Sequence, residues 1–324
     1  MPFAFSSLRR QALLTLALLG AQTLCAVQAQ TAAADSNFPS QSIKILVGFA
    51  PGGSSDTVAR IMVPKLTELF KQNVVIDNKP GGNTAMGADL VAKAPADGYT
   101  VLFTNDATFV LNPILSPQLS YSVARDFAPV ATVAYLNLAM VVSSNLPVNN
   151  MAEMVAWTQA KSGTISYGSY GVGSQAHIMG EMFKKIAGVD LVHVPYKSSG
   201  EALREVMTGR VQLQFITPVD LAPYLARQAV RPIALAYPTR LATLPQLATF
   251  AEQGYEGFDS PTWFGLIGPA GLPGDVVALL HREVTLALSG AEVRARLARA
   301  AIEPAEMTPA RFKQFIATEA IRWE

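Results

Sequence analysis

The sequence predicts an α/β protein built as two domains with a ligand cleft between them. Three observations predict it. The chain has 324 residues, the length of about two domains. Half of its residues are apolar and 15% are charged, so it can bury a large core, and disorder is excluded. Short apolar stretches of strand character alternate with helical stretches, and Gly-rich loops join them.

The first 29 residues read as a secretory leader. Arg9 and Arg10 supply the positive start, residues 12–20 (ALLTLALLG) an apolar run too short to span a bilayer comfortably, and Val27-Gln28-Ala29 a cleavage site after Ala29. The alternative is an uncleaved anchor. Gln22 and Leu24 fit a lipoprotein signal around Cys25 poorly, and the surroundings of Arg9-Arg10 match a twin-arginine signal only loosely. Cleavage removes both arginines and no acid, so the formal charge moves from +1 to −1. It also removes Cys25, the single cysteine, which excludes a disulfide framework. The mature chain is expected to be a soluble, monomeric periplasmic protein with no cofactor and no metal. The charge balance gives no footprint for nucleic acid.

The elements follow in order. Residues 43–47 (IKILV) form a first strand and run into Gly48 and the loop 49–56 (FAPGGSSD). Val58, Ile61, Met62, Lys65, Leu66 and Leu69 then fall on one helical face, with Pro64 as an expected kink. The unit repeats as a strand at 74–76, the loop 78–84, a helix over 85–94, a turn at Asp97-Gly98 and a strand at 99–104. Such alternation argues for a largely parallel sheet. The apolar run 130–142 is long enough to cross between domains. A second series contains a strand at 165–168, the loop 169–174 (SYGVGS), a helix to residue 187 and a strand at 191–194. A helix at 201–208 and strands at 211–216 and 233–236 complete it. The strand 263–268 (WFGLIG) is read as crossing back, and helices at 275–288 and 309–323 close the chain. The domains are therefore expected at 38–132 plus 256–324, and at 133–255.

Both Gly-rich loops of the first half lie between a strand and a helix. Glycine lets backbone approach a ligand, and a helix start offers free N–H groups at the positive end of its dipole, which makes an anion site. The bland reading of each loop is an ordinary turn, with Ser55 or Asp56 as N-cap. Two such loops on one sheet, and a third at 169–174, favour a cleft that clamps a small anion. Three or four charge-assisted hydrogen bonds of roughly 1.5–3 kcal/mol each approach the ~8 kcal/mol of a micromolar complex. Catalytic signals are thin. Ser174 and His177, three residues apart, leave a secreted serine hydrolase as the rival reading, but no nucleophile elbow surrounds them. His193 and His281 read as structural and solvated.

Four segments, VGFAPGGSSDTVAR (47–60), NKPGGNTAMGADLVAKAPADGYTVL (78–102), YGSYGVGSQAHIMGEMFKKIAGVDLVHVPYK (167–197) and PTWFGLIGPAGLPGDVV (261–277), resemble the Bug-type, TctC-like substrate-binding receptors of tripartite tricarboxylate transporters. The resemblance implies a periplasmic-binding-protein-like fold with hinge strands. It also implies a non-catalytic role, the capture of a small carboxylate for membrane permease subunits or a sensor protein. The ligand is expected against Phe49, Pro51, Gly52, Gly53, Ser54 and Asp56 of the first loop. The second loop is expected to add Gly81, Gly82, Asn83, Thr84, Met86 and Gly87, and the end of the third strand Asn105 and Ala107. The second domain is expected to contribute Ser169, Tyr170, Gly171, Gly173, Ser174, His177, Pro195, Tyr196 and Thr217. The chain departs from the family in several places. Gly48 replaces a usual Pro, the second loop reads PGGNTAMG, Tyr170 replaces a small residue, and Ile216 replaces an Asp. Losing that acid argues for a dicarboxylate or aromatic acid rather than an amino-bearing ligand.

Overall fold

The computed structural model describes residues 38–323 apart from 117, 137, 226, 242 and 259–261. The expected leader and its cleavage site lie outside the described residues. Among the described residues no helix is long and apolar enough to cross a membrane.

Two mixed sheets organise residues 41–324. The first contains β1 (Ile43–Val47), β2 (Val74–Asn78), β3 (Thr100–Asn105), β4 (Phe127–Leu136), β10 (Thr262–Pro269) and β11 (Glu303–Pro304), in the order β11-β4-β10-β3-β1-β2. The second contains β5 (Ala139–Ser143), β6 (Ser166–Ser169), β7 (Val192–Pro195), β8 (Leu213–Ile216) and β9 (Val230–Leu235), in the order β7-β6-β8-β5-β9. The helices of eight or more residues are α1 (Ser54–Phe70), α2 (Ala85–Ala92), α3 (Met151–Gln159), α4 (Gln175–Ala187), α5 (Ser199–Met207), α6 (Pro218–Leu225), α7 (Gly274–Ser289), α8 (Ala291–Arg299) and α9 (Pro309–Trp323). Pro64 sits inside α1, which continues through it.

The apolar run 130–142 is two strands, the end of β4 in one sheet and the start of β5 in the other, so the chain does cross there. The expected return strand differs. β10 lies wholly in the first sheet, between β3 and β4 and antiparallel to both. Likewise β5 is antiparallel to its neighbours β8 and β9. The expectation of largely parallel sheets is thus corrected. Among the named strands, parallel pairing joins β1 with β2 and β3, and β6 with β7 and β8. β5 and β10, each the first strand to enter its sheet after a crossing, run against the strands beside them, whereas β4 and β9, which lead into the crossings, run with the parallel set.

Both antiparallel strands are buried along their whole length, which is why their sequences read as unbroken apolar runs without alternation. The first sheet packs its core around Trp263, Phe109, Phe127 and Phe312. Trp263 meets the Phe312 ring edge-on at 5.0 Å. The second sheet has two cores. Tyr167, Phe183, Phe215, Phe250 and Phe258 fill one face, and Leu203, Val206, Ile216 and Leu221 the other.

Candidate functional site

A cavity of about 480 Å³ opens between the two sheets. Its walls are set by where helices begin. Ser54 starts α1, Gln175 starts α4, Ser199 starts α5, and Thr217 precedes α6. All four residues line the cavity. The starts of four helices, the positive ends of their dipoles, therefore border one space; α1 has no side-chain cap, whereas Ser174, Ser198 and Thr217 each take one first-turn amide of α4, α5 and α6. Among the described residues two charged side chains reach it, Lys197 at its exposed mouth and Asp220 on α6.

The first Gly-rich loop forms one wall with Phe49, Pro51, Gly52, Gly53 and Ser54. Gly52 adopts φ +86°, a conformation that favours glycine. Asp56 is not in the wall. It is buried beneath the loop, where its carboxylate accepts from the Gly52 amide at 2.9 Å, Arg60 Nε at 2.7 Å and Asn78 Nδ2 at 3.1 Å. Burial alone would raise this carboxyl, but the hydrogen bonds from Arg60, Gly52 and Asn78 outweigh it and hold it below the usual range. Nor does Asp56 or Ser55 cap the helix. Gly53 is the N-cap and no side chain caps α1, which leaves the first amides open to the cavity.

The second loop is placed differently from expectation. Gly81, Gly82, Asn83, Thr84, Met86 and Gly87 do not line the cavity, and Met86 is 55% exposed. The loop packs behind the first one. A Cβ on Gly48 would sit 2.8 Å from Thr84 Cβ, and one on Gly87 would sit 3.2 Å from Gly48 Cα. Gly48, the departure from the family's Pro, therefore makes room for Thr84. The Thr84 hydroxyl is buried against those of Thr108 and, through it, Thr104. The outer end of the loop bridges the two halves, since Asn83 Nδ2 donates to Gly173 O at 3.0 Å and to Asn112 Oδ1 at 3.0 Å. Asn105 lines the cavity, whereas Ala107 is buried in a short π-helical turn behind it.

The third loop contributes Tyr170 to the cavity, but Ser169, Gly171, Gly173, Ser174 and His177 lie off it. Ser169 Oγ shares a 2.7 Å hydrogen bond with His193 Nε2. Ser174 Oγ accepts the His177 backbone N–H at 3.3 Å as the N-cap of α4, and His177 Nδ1 accepts the Gly173 N–H at 3.1 Å. The pair required by the hydrolase reading is thus spent on holding the loop. Pro195 and Tyr196 stop short of the cavity, and the next residues, Lys197 to Gly200, line it instead. Thr217 lines it.

Gln175, Ser199, Asp220, Thr262 and Phe264 were missed by sequence reasoning. Ser198-Ser199-Gly200 carried a usable signal, being a small-residue turn that opens a helix like the first loop. Asp220 carried none, because its helix contains Pro223 and was not predicted.

The His193 ring stacks on that of His177, with centroids 4.0 Å apart. Burial and, behind it, the His177 ring push His193 down to about 4; Glu181 acts upward and Lys184 downward. Burial also lowers His177. An unfolded His takes its proton near 6.5. Between about pH 6.5 and 4 the unfolded chain therefore binds more protons at this site, and stability falls with pH across that window. Burial acts oppositely on Asp106, raised to about 7, and on Asp220, raised to about 6, which lose stability as pH rises. The His193 contribution is isolated by His193→Gln. Its melting temperature relative to the parent is expected to rise as pH goes from 7 to 4.5, and a constant difference would refute the assignment.

The family described as tripartite tricarboxylate transporter family receptor matches residues 58–324. Protein BugT of Bordetella pertussis is 31% identical over 95% of this chain and 94% of its own. Among solved structures, R. palustris Rpa4515 with adipate is 31% identical with a TM-score of 0.85, covering 89% of this chain and 96% of its own. MatC of Rhodopseudomonas palustris with bound malate is 28% identical with a TM-score of 0.82, covering 89% and 99%. The fold is thus that of two-domain periplasmic binding proteins, and the chain belongs to the receptor family of tripartite tricarboxylate transporters, as a Bug-type, TctC-like solute-binding protein.

Proposed function

We propose that this protein captures a small organic carboxylate in the periplasm, a dicarboxylate or an aromatic acid, and presents it to the permease of a tripartite tricarboxylate-type transporter or to a sensor. The observation that carries this reading is the convergence of four helix starts on one cavity, with Lys197 the one cation among the described residues that line it. Oriented amides hold an anion without burying a countercharge. Tyr170, Leu203, Ile216 and Phe264 supply apolar and aromatic surface for the body of such a ligand. Adipate in Rpa4515 and malate in MatC support the class.

In this reading the leader is cleaved after Ala29 and the mature chain acts as a monomer. Residues 38–132 with 256–324 form one domain and 133–255 the other. Only the closed arrangement lets both touch the ligand, so binding shifts the protein toward it. The test is a thermal-shift panel of C4–C8 dicarboxylates and aromatic acids, followed by mass spectrometry of each stabilising acid. An intact acid with a raised melting temperature is the expected result. Turnover of the acid would instead support the hydrolase, and a panel in which nothing binds would sink the carboxylate reading.

A further inference from the structure

The second Gly-rich loop is held in a strained conformation. Four successive residues, Gly81, Gly82, Asn83 and Thr84, have positive φ, at +147°, +56°, +49° and +78°. Asparagine tolerates this region, whereas a β-branched threonine rarely enters it. Such conformations persist where the surroundings over-determine them, and they gather at binding and switching segments. Here the surroundings adjoin the cavity wall. Thr84 packs against Gly48, the residue before Phe49. Its buried hydroxyl is bound to that of Thr108, which also binds that of Thr104, the residue before Asn105. Phe49 and Asn105 both line the cavity.

What this conformation achieves is the aim of Asn83, which lies off the cavity and spans the two halves. Its side-chain amide donates both protons, one to Asn112 Oδ1 within the first half and one to Gly173 O in the second, each at 3.0 Å. The donor is fixed in place, because buried Asn112 returns a bond from Nδ2 to Asn83 O at 2.8 Å. The acceptor is fixed too. The Gly173 N–H donates to His177 Nδ1 at 3.1 Å, and the Ser174 N–H donates to Gly171 O at 3.2 Å. Beside the bond, a Cβ on Gly173 would stand 2.9 Å from Leu115 Cδ1, so the halves also touch there through apolar surface. We propose that Asn83 is a latch: its bond to Gly173 O holds the two halves together and sets how long a bound ligand stays, without touching that ligand. The inference rests on the reading that the halves close over a carboxylate, and it adds the residue that keeps them closed. Ligand and latch both bridge the halves, so each favours the arrangement in which the other forms.

The test compares the mature parent with two variants. Asn83→Gly keeps the left-handed backbone free of strain. Asn83→Asp keeps the side-chain shape but turns a carboxylate toward the Gly173 carbonyl. Stopped-flow fluorescence at pH 7 with the C4–C8 dicarboxylates and benzoate gives the binding rates, and small-angle X-ray scattering gives the radius of gyration without ligand. Asn83→Gly is expected to release each bound acid about three- to tenfold faster, the worth of one hydrogen bond, with association as fast as the parent's or faster. The factor is expected to be the same for every acid, and Asn83→Asp to exceed it. Both ligand-free variants are expected to be more expanded than the parent. A loss that differs from acid to acid would make Asn83 a ligand contact and overturn the latch, as would slower association with unchanged release. Unchanged release together with equal radii also overturns it. If no acid binds the parent, the carboxylate reading fails, and the scattering alone decides the latch: expanded variants support it and equal radii overturn it.

Discussion

Gly53→Asp is expected to abolish carboxylate binding while the protein folds normally. Gly53 is the N-cap of α1, with φ −82° and ψ 175°, an extended conformation open to any residue. A Cβ built there comes no closer to a neighbour than 3.8 Å, at Ala50 O. Asp is moreover a preferred N-cap residue, so the melting temperature is expected to hold or rise slightly. The new carboxylate would occupy the first-turn amides that the ligand needs. It would also stand about 4–5 Å from the ligand's own charge, a repulsion of about 3–4 kcal/mol at an effective dielectric of about 20. That predicts a Kd weakened by about two to three orders of magnitude. Gly53→Asn, which keeps the shape without the charge, is expected to lose much less, and Gly53→Ala less still. Calorimetry with the tightest-binding acid of the panel checks all three. Retained affinity in Gly53→Asp would show that α1 does not hold the anion.

How far the site was legible in the sequence is seen by comparing the two Gly-rich loops. Both satisfy the same local rule, glycines between a strand and a helix, yet the first places Gly52, Gly53 and Ser54 in the cavity wall. Gly81 to Gly87 lie off it. The same conformational freedom there serves close packing, with Thr84 seated against Gly48. Nothing local distinguishes a glycine that admits a ligand from one that admits a neighbouring loop. Asp56 shows the same ambiguity, because a carboxylate that accepts three hydrogen bonds from its own loop leaves no trace of that in residue type. The strands were legible because buried strands are apolar throughout. Their direction was not, since an apolar run is identical in parallel and antiparallel pairing. The far wall, with Asp220 and Gln175, was hidden for a different reason. It is assembled from the starts of three helices, α4, α5 and α6, that pack on the second sheet, and only the crossing of the chain between the sheets sets it opposite the start of α1.

Gly180→Ala is expected to destabilise the protein by about 3 kcal/mol, through overpacking of a rigid contact. Gly180 lies inside α4, where glycine by itself favours helix less than alanine by about 1 kcal/mol. Propensity alone would therefore make the substitution stabilising. Sterics decide otherwise: a Cβ at Gly180 would stand 2.1 Å from Cε2 of Tyr167 and 2.4 Å from its Cζ. The ring has little room to retreat. Tyr167 is fully buried, its hydroxyl donates to Glu181 Oε1 at 2.7 Å, and its face stacks on His193 with centroids 4.9 Å apart. His193 in turn holds Ser169 at the base of the loop that carries Tyr170 to the cavity. Displacing the ring thus disturbs the loop as well as the core, and ligand affinity is expected to fall along with a melting temperature lower by several degrees. A double-mutant cycle identifies the cause. In a Tyr167→Leu background, which removes the ring, Gly180→Ala should cost far less or become stabilising. An equal cost in both backgrounds would place the conflict elsewhere than at Tyr167.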